Sequence, residues 1–208
     1  MEKEYIPALK FKSLTRFFDL FLKTFMKEEK IKKSFIKLAK LKDNFTILDF
    51  GCGTGTLLKI INKNVKSNLY GVDIDKHILN TARNKLLNSN IVLKRYDGIK
   101  LPFENNFFDI VFSSLVIHHL PKNRIPTFLE INRILKPNGK FYILDFGKQK
   151  NTYGRFVTGI IKRFEPIEEN LKGEISLYLN QANFKDTKEN KHHYKTLFGE
   201  LTVYSGEK

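Results

Sequence analysis

The sequence predicts an α/β fold built on a doubly wound, seven-stranded, mostly parallel sheet that ends in an antiparallel hairpin. Three observations support this prediction. Short apolar runs alternate with helical periods between residues 45 and 146, a glycine-rich turn follows the first run, and two strand-like runs with a short connection close the chain. Buried strands that alternate with helices are typical of a parallel sheet covered by helices on both faces.

Each element has its own signal. Apolar residues at helical spacing, with lysines on the other face, predict two helices within residues 10–41. Five apolar runs then predict strands at residues 45–50, 69–72, 91–93, 108–113 and 141–146. Helices are predicted at residues 57–65, 78–86 and 128–135, the last closed by the turn sequence KPNG at 136–139. A final helix at 177–182 precedes strands at 184–194 and 197–205, whereas residues 147–172 indicate no definite element.

Composition limits the classes of protein to consider. The chain of 208 residues has a formal net charge of +15, which would suit a nucleic acid, an anionic membrane or an acidic substrate. Most of its 37 basic residues are lysines, and arginine is the residue favoured for bidentate phosphate recognition, so we interpret the charge as a solvated basic surface. The single Cys52 excludes an internal disulfide and a cysteine-based zinc cage, and no metal is expected. Without an apolar signal segment or membrane span, we expect a cytoplasmic protein.

The glycine-rich turn lies in the stretch ILDFGCGTGTL, where Asp49 precedes Gly51, Gly53 and Gly55. A dinucleotide fingerprint would place its third glycine at position 56, which is Thr56, and no Gly-Lys-Ser/Thr follows as in a phosphate-binding loop. An acidic residue beside the loop disfavours a pyrophosphate. It favours a ligand with positive charge, such as the ammonium and sulfonium groups of S-adenosylmethionine.

Acidic residues also follow the next two predicted strands. Asp73 ends the second strand, where a carboxylate can accept both ribose hydroxyls, and Asp97 follows the third, where it can accept a hydrogen bond from an adenine amino group. Ligands of doubly wound sheets bind outside the carboxyl ends of the strands. The three acids therefore cover the amino acid, the ribose and the base in turn.

The combination of ILDFGCGTG, VDID, RYDG, LPFENNFFDIVFSS and ILKPNGKFYILDFG resembles the class I S-adenosylmethionine-dependent methyltransferases, which have a Rossmann-like fold. The resemblance covers residues from about 45 to 205. It implies S-adenosyl-L-methionine as cofactor and S-adenosyl-L-homocysteine as product. The cofactor-binding residues that it implies are Asp49, Gly51, Cys52, Gly53, Thr54 and Gly55 for the methionine portion, Asp73 for the ribose, Ile74, Asp97 and Gly98 for the adenine, and Ser113, Ser114 and Leu115 beside the transferred methyl group.

Two histidines follow the fourth predicted strand, where the family places residues that face the substrate. An oxygen or carbon nucleophile needs its proton removed, and the unperturbed pKa of histidine, near 6.5, allows this at neutral pH. His118 and His119 are therefore the candidate catalytic residues. A cap of the next helix and a surface position are the structural alternatives for them.

The N-terminal segment YIPALKFKSLTRFFDLF resembles the lid of small-molecule and quinone-type methyltransferases. We therefore expect residues 1–42 to be a helical cap or lid and residues 43–208 to be the S-adenosylmethionine-binding methyltransferase domain. The expected partner is a small-molecule or lipid-like acceptor methylated at oxygen, nitrogen or carbon. The basic N-terminal helices could also contact a membrane surface.

Two other functions stay open at this point. The basic charge would suit an RNA methyltransferase, but the sequence lacks the N/D-P-P-Y/F segment typical of enzymes that methylate exocyclic base amines. A nucleic-acid partner is therefore disfavoured. A non-catalytic S-adenosylmethionine-binding protein would have the same fold. The sequence leaves the acceptor and the oligomeric state undetermined.

Overall fold

The computed structural model describes residues 28–120, 124–163 and 165–208, apart from the side chains of residues 191 and 192. The first helix predicted within residues 10–41 lies outside this part of the chain. The strands are β1 (Thr46–Phe50), β2 (Asn68–Asp73), β3 (Val92–Arg95), β4 (Phe108–Ser114), β5 (Leu135–Phe146), β6 (Lys185–Thr196) and β7 (Gly199–Glu207). The helices are α1 (Glu28–Leu38), α2 (Thr56–Asn62), α3 (Lys76–Lys85), α4 (Ile125–Ile134), α5 (Thr152–Ile161), α6 (Glu168–Lys172) and α7 (Ile175–Gln181), with a short 3-10 helix at Ile117–His119.

The strands form one seven-stranded sheet in the order β3-β2-β1-β4-β5-β7-β6. Strands β1 to β5 are parallel, and β7 runs antiparallel to both β5 and β6. The predicted fold class is confirmed, including the C-terminal hairpin. The strand order reverses direction between β1 and β4, so the carboxyl ends of these two strands form the switch point where ligands of doubly wound sheets bind.

Alternate residues of the central strands face two different cores. In β1, Ile47 packs in the cluster that includes α1, α2 and α3, whereas Leu48 packs in the cluster that includes α4 and α7, and both are 0% exposed. Residues of β4 and β5 divide between the clusters in the same way. Successive side chains of a strand point to opposite faces, so a strand buried on both faces reads as an uninterrupted apolar run.

Helix α1 is docked onto this sheet through its apolar face. Its buried residues are Ile31, Phe35 and Ile36, and the Phe35 ring meets the Phe112 ring of β4 edge to face at a centroid distance of 5.2 Å. Its polar face carries two i,i+4 ion pairs between lysine and glutamate. The boundary predicted near residue 42 stays a prediction.

Two segments differ from the sequence-based expectation. Helix α4 ends at Ile134, and the KPNG sequence lies within β5, where the pairing with β4 shifts its register between Phe108 and Ile110. The pairing passes from Leu135 directly to Lys140, so the four KPNG residues have no partner on β4, and Asn138 has a φ of 63°, as in a turn. Residues 147–172, for which no element was predicted, contain α5 and α6. No helix in the described ranges is both long and apolar enough to cross a bilayer.

The Phe35 side chain offers a test of how α1 is integrated. Because Phe35 is fully buried against Phe112, Phe35→Ala should lower the free energy of unfolding by about 3–5 kcal/mol. The matched control Lys33→Ala, on the exposed face of the same helix, should change it by less than about 0.5 kcal/mol. Urea unfolding measures both variants. Equal effects of the two substitutions would show that α1 does not fold with the sheet.

Candidate active site

The glycine-rich turn follows β1, and its three glycines all have positive φ angles of 71°, 51° and 74°. They lack side chains for different reasons. A Cβ at Gly51 would overlap the Val116 side chain, whose Cγ1 would lie 2.7 Å away, and a Cβ at Gly55 would lie 2.7 Å from Leu86 Cδ1. A Cβ at Gly53 would meet nothing within 4 Å. Packing against Val116 therefore requires a glycine at Gly51, a Cβ at Gly55 would displace the flexible end of Leu86, and Gly53 faces open space that a ligand can occupy.

Asp49, at the end of β1, is a buried carboxylate with unsatisfied hydrogen-bonding capacity. It is 2% exposed, and its Oδ1 has no hydrogen-bond partner in the described part of the chain. Burial raises the pKa of Asp49 to about 7; Lys32 of α1 opposes this shift and Asp73 adds to it. An unpartnered carboxylate at this depth is unfavourable unless a donor or cation reaches it. The arrangement suits a cationic ligand group.

Asp73, at the end of β2, holds the glycine-rich turn in place. Its Oδ2 accepts a hydrogen bond from the Gly53 amide at 2.9 Å, and its Oδ1 accepts one from the Asp75 amide at 3.0 Å. Burial raises the pKa of Asp73, and the amide donors oppose that shift. A carboxylate offers about four lone-pair sites, so capacity remains for two ribose hydroxyls.

Ile74, Asp97 and Gly98 come together beside Asp73. A Cβ at Gly98, which has a φ of 84°, would lie 3.6 Å from Ile74 Cδ1, so the Gly98 backbone and the Ile74 side chain are in contact. Asp97 is exposed, and its Oδ1 accepts hydrogen bonds from the Ile99 and Lys100 amides, which keep the pKa of Asp97 below its ordinary value. An ionised Asp97 beside an apolar wall can accept a hydrogen bond from an amino group of a flat ring.

The end of β4 contains further polar groups without partners. Ser113 is fully buried, and neither its Oγ nor that of Ser114 has a hydrogen-bond partner among the described residues. Leu115 has a φ of 60°, a strained value for a residue with a side chain. Its amide donates to the Leu144 carbonyl oxygen at 2.8 Å, which fixes the chain where it leaves the sheet. Val116 then packs against Gly51, which connects this strand end to the glycine-rich turn.

His118 is held by a buried carboxylate that sequence reasoning missed. Asp145, at the end of β5, is 0% exposed and lies 2.7 Å from His118 Nδ1. Its oxygens also accept hydrogen bonds from the backbone amides of Ile117, His118 and Phe146. Burial alone would raise the pKa of Asp145, but His118 and these donors outweigh it, so the pKa lies below its ordinary value. An ionised Asp145 only accepts, so Nδ1 of His118 carries a proton, and Nε2 is the ring nitrogen that can accept one.

His119 has a different environment. Its ring lies over the His118 ring at a centroid distance of 4.0 Å, and its Nδ1 is 3.6 Å from Glu165 Oε2, which is beyond hydrogen-bonding distance. Burial, reinforced by His118, lowers the pKa of His119 to about 3, and burial raises the pKa of Glu165. His119 is therefore neutral at neutral pH.

His118, His119 and Glu165 are also the group in the described ranges that could hold a metal ion, with ligand-type atoms all within 4.8 Å of one another. Imidazole nitrogens coordinate along lone pairs in the plane of the ring. The two rings are tilted by 43° to each other at a centroid distance of 4.0 Å, so they are not stacked face to face. The same nitrogen and carboxylate atoms can also hold or transfer a proton.

The sequence did contain a signal for Asp145. The pentapeptide ILDFG occurs twice, at residues 47–51 and 143–147, and each copy places its aspartate at the carboxyl end of a central strand. Glu165 and Lys32, in contrast, have no such signal, because tertiary packing alone brings them to the site. Cys52, in the turn, is buried, and burial raises the pKa of its thiol far above the ordinary range, so the thiol is not an activated nucleophile.

Comparison with known proteins agrees with this geometry. Residues 48–143 match the family model described as a methyltransferase domain, and they span β1 to β5 together with the glycine-rich turn. The chain contains a methyltransferase domain. The match and the fold confirm the predicted class I methyltransferase domain, whose cofactor is S-adenosylmethionine. The unpartnered Asp49 oxygen and the open space at Gly53 fit a cofactor with a cationic amino-acid portion.

The chain is also similar to individual proteins, both in sequence and in structure. The chain is 34% identical over 126 residues to a demethylmenaquinone methyltransferase of Lactobacillus johnsonii, covering 58% of this chain and 51% of the relative. It is 30% identical over 117 residues to the ubiquinone/menaquinone biosynthesis C-methyltransferase UbiE of Burkholderia vietnamiensis, covering 54% and 48%. The chain spans about half the length of these curated relatives. The crystal structure of a SAM-dependent methyltransferase from Aquifex aeolicus matches with a TM-score of 0.64 and 25% identity, covering 89% and 91% of the two chains.

The different roles of the glycines can be separated experimentally. Alanine at either Gly51 or Gly53 adds about 1 kcal/mol of backbone strain, because both have positive φ. Gly51→Ala also overlaps Val116 and should lose a further 1–3 kcal/mol or so of stability, whereas Gly53→Ala should weaken S-adenosylmethionine binding. Urea unfolding and calorimetric titration measure the two effects. Adding Val116→Ala to Gly51→Ala should restore part of the stability, and equal instability of both glycine variants would contradict the assignment.

Proposed function

We propose that this protein transfers the methyl group of S-adenosylmethionine to a small, apolar, quinone-like acceptor. The observation that carries the proposal is the arrangement at the switch point of the sheet. An unpartnered buried carboxylate, Asp49, lies beside open space at Gly53, and the His118–Asp145 pair lies at the ends of the neighbouring strands β4 and β5. The names of the two quinone-pathway relatives support the class of acceptor.

The residues at the ends of β1 to β4 would hold the cofactor. Asp49 would accept the ammonium group, and the glycine-rich turn, with Cys52 and Thr54, would lie along the methionine portion. Asp73 would accept the ribose hydroxyls, while Ile74, Gly98 and Asp97 would hold the adenine. Ser113, Ser114 and Leu115 would line the space beside the reacting atoms. When bound, the cofactor supplies an electrophilic methyl group on a positively charged sulfur.

The protein would contribute alignment, exclusion of water and removal of a proton. A hydroxyl on the acceptor becomes a stronger nucleophile, at oxygen or at a conjugated carbon, when its proton leaves. His118 Nε2 is the proposed proton acceptor, because ionised Asp145 fixes the opposite nitrogen as a donor. Asp145 is a positioning residue in this scheme, and it stabilises the imidazolium that forms.

His119 is the weaker of the two candidate bases. A general base works best when its pKa lies near the working pH, and the pKa of His119 is lowered to about 3. We therefore propose that His119 packs against His118 and limits its motion, with Glu165 close to both rings. This assigns different roles to two histidines that are adjacent in the sequence.

Several expectations remain proposals. The lid over residues 1–42, and membrane contact through its basic helices, fall largely outside the described residues. The cytoplasmic location also remains a prediction. The comparisons do not favour the two alternatives, an RNA methyltransferase and a non-catalytic S-adenosylmethionine-binding protein.

Asp49 makes cofactor affinity depend on pH. Its pKa is about 7 in the free protein, and a cationic group needs the ionised carboxylate. Below pH 7, binding must release the Asp49 proton, so affinity should rise with pH up to about pH 7, by at most about tenfold per pH unit, and then level off. Calorimetric titration in buffers of different ionisation enthalpy measures both the affinity and the released proton. Asp49→Asn should bind more weakly with a flat profile below pH 7, and a flat profile in the wild type would contradict the role of Asp49.

Methyl transfer tests the proposal as a whole. Labelled S-adenosylmethionine should transfer its methyl group to a quinol with an isoprenoid side chain, and transfer to RNA should be at background. His118→Asn retains a side-chain donor for Asp145 but removes Nε2, so kcat should fall by about 10²- to 10⁴-fold with cofactor affinity nearly unchanged. His77→Asn, at an exposed histidine of α3, is the matched control and should have wild-type kcat. Wild-type turnover in His118→Asn would exclude the base, and tight cofactor binding without transfer to any acceptor would favour the non-catalytic alternative.

A further inference from the structure

Helix α5 packs on the protein through its small residues. Gly154 and Thr158, one turn apart, are buried, and Thr158 Oγ1 donates to the Gly154 carbonyl oxygen at 2.7 Å. A Cβ at Gly199, at the start of β7, would lie 2.7 Å from Thr158 Cγ2, so the helix and the strand are in close contact. Asn151 caps the helix, where its side chain accepts from the Gly154 amide.

Three large apolar residues of α5 face the opposite way, toward solvent, whereas Ile161 at its end packs on the core. Tyr153, Phe156 and Ile160 are 54%, 68% and 45% exposed, and their i, i+3, i+7 spacing places them within about 60° on one side of the helix. Leu197, in the turn between β6 and β7, is 49% exposed, and its carbonyl oxygen accepts a hydrogen bond from the Tyr153 hydroxyl at 3.0 Å. We call these four residues the α5 apolar face.

This orientation is the reverse of that in an ordinary surface helix, which buries its large apolar residues and exposes its polar ones. Nine large hydrophobic residues are exposed in the described ranges, and four of them belong to the α5 apolar face. The other five are distributed over β3, α4, α7 and the loops. Single exposed apolar residues are normal, but a group of them indicates a contact surface.

The charged residues within the segment that forms this helix are all basic. Residues 148–163 contain no acidic residue, and they carry five exposed cations, which are Lys148, Lys150, Arg155, Lys162 and Arg163. None of the five forms an ion pair with a carboxylate in the part of the chain that the structure describes. A surface of this kind favours an anionic partner that also accepts apolar side chains.

We propose that the α5 apolar face inserts into the headgroup region of an anionic lipid bilayer, with the five surrounding cations on lipid phosphates. Aromatic and aliphatic residues on a cationic helix are typical of helices that lie in a membrane interface. Ile160 and Leu197 offer no flat surface on which a nucleic-acid base could stack, whereas acyl chains accept them equally well. Long lysine and arginine side chains can reach the phosphates while their aliphatic parts remain in the apolar layer.

The position of α5 in the chain relates the proposed membrane contact to the candidate active site. The helix follows β5, whose carboxyl end holds Asp145, and the Gln149 side chain donates to the Gly147 and Glu200 carbonyl oxygens, which anchors the connecting segment. A membrane-bound acceptor would then approach near the histidine cluster. The docking itself does not depend on the proposed function, because lipid binding and methyl transfer are measured separately.

The chain contains no tryptophan, which permits a direct test in the full-length protein. Phe156→Trp places a single fluorophore in the α5 apolar face. Vesicles of phosphatidylcholine with about one-third phosphatidylglycerol should shift its emission to the blue, and brominated lipid should quench it. The control Leu177→Trp places the fluorophore on α7 at a position 53% exposed in the wild type, and should show neither change. An unshifted Phe156→Trp spectrum with anionic vesicles would overturn the proposal.

Sedimentation with the same vesicles tests the surface without a fluorophore. Wild-type protein should bind anionic vesicles at least about tenfold more tightly than neutral ones, and about 0.5 M salt should abolish most of this preference. The double variant Phe156→Gln, Ile160→Gln should lose about tenfold or more in binding, while Leu177→Gln should bind as wild type does. Equal melting temperatures show that the variants are folded.

Two other outcomes would also overturn the proposal. If the double variant turned a wild-type dimer into a monomer without changing vesicle binding, the α5 apolar face would contact a second copy of the chain. If single-stranded RNA bound with a dependence on the five cations and anionic vesicles did not bind, the partner would be RNA. Light scattering and RNA titration measure these outcomes on the same proteins.

Discussion

A carboxylate buried at the end of a parallel strand must find a donor or a cation, and much of this site follows from that constraint. The structure meets it in two ways. Asp145 is satisfied within the protein, by His118 and by backbone amides at the ends of β4 and β5. Asp49 has an oxygen without any partner among the described residues. The first carboxylate holds a histidine in place, and the second has an oxygen that, in the proposed function, accepts a cationic group of the cofactor.

The surrounding elements act on these two positions. Helix α1, which lies before the family-matched region, brings Lys32 close enough to Asp49 to oppose the effect of burial on its pKa. Val116 fills the space beside Gly51 and so ties the end of β4 to the glycine-rich turn. Displacement of either element would therefore change the cofactor site as well as the core, which links stability to binding in this protein.

The hydrophobic residues divide into those that pack in the core and those that are exposed on the surface. Most pack in the two clusters on the faces of the sheet. Helix α5 departs from this rule, because it buries glycine and threonine and exposes Tyr153, Phe156 and Ile160, while Ile161 alone of its isoleucines packs on the core. A fold that satisfies its own core without these side chains leaves them available for an external contact, and their cationic surroundings restrict which contact that is.

The sequence by itself determined the fold class, the central helices, the C-terminal hairpin and the position of the glycine-rich turn, because apolar periodicity and glycine spacing are local signals. It did not reveal α5 and α6, because α5 buries glycine and threonine, which give little apolar signal, and α6 has only five residues. Nor could it separate His118 from His119, because neighbouring residues differ only in what packs around them. The two copies of ILDFG show most clearly what only the tertiary structure decides, which is the environment of the aspartate in each copy. Identical in sequence and alike in position, they give Asp49 a raised pKa and Asp145 a lowered one, because only the second meets donors from a neighbouring strand end.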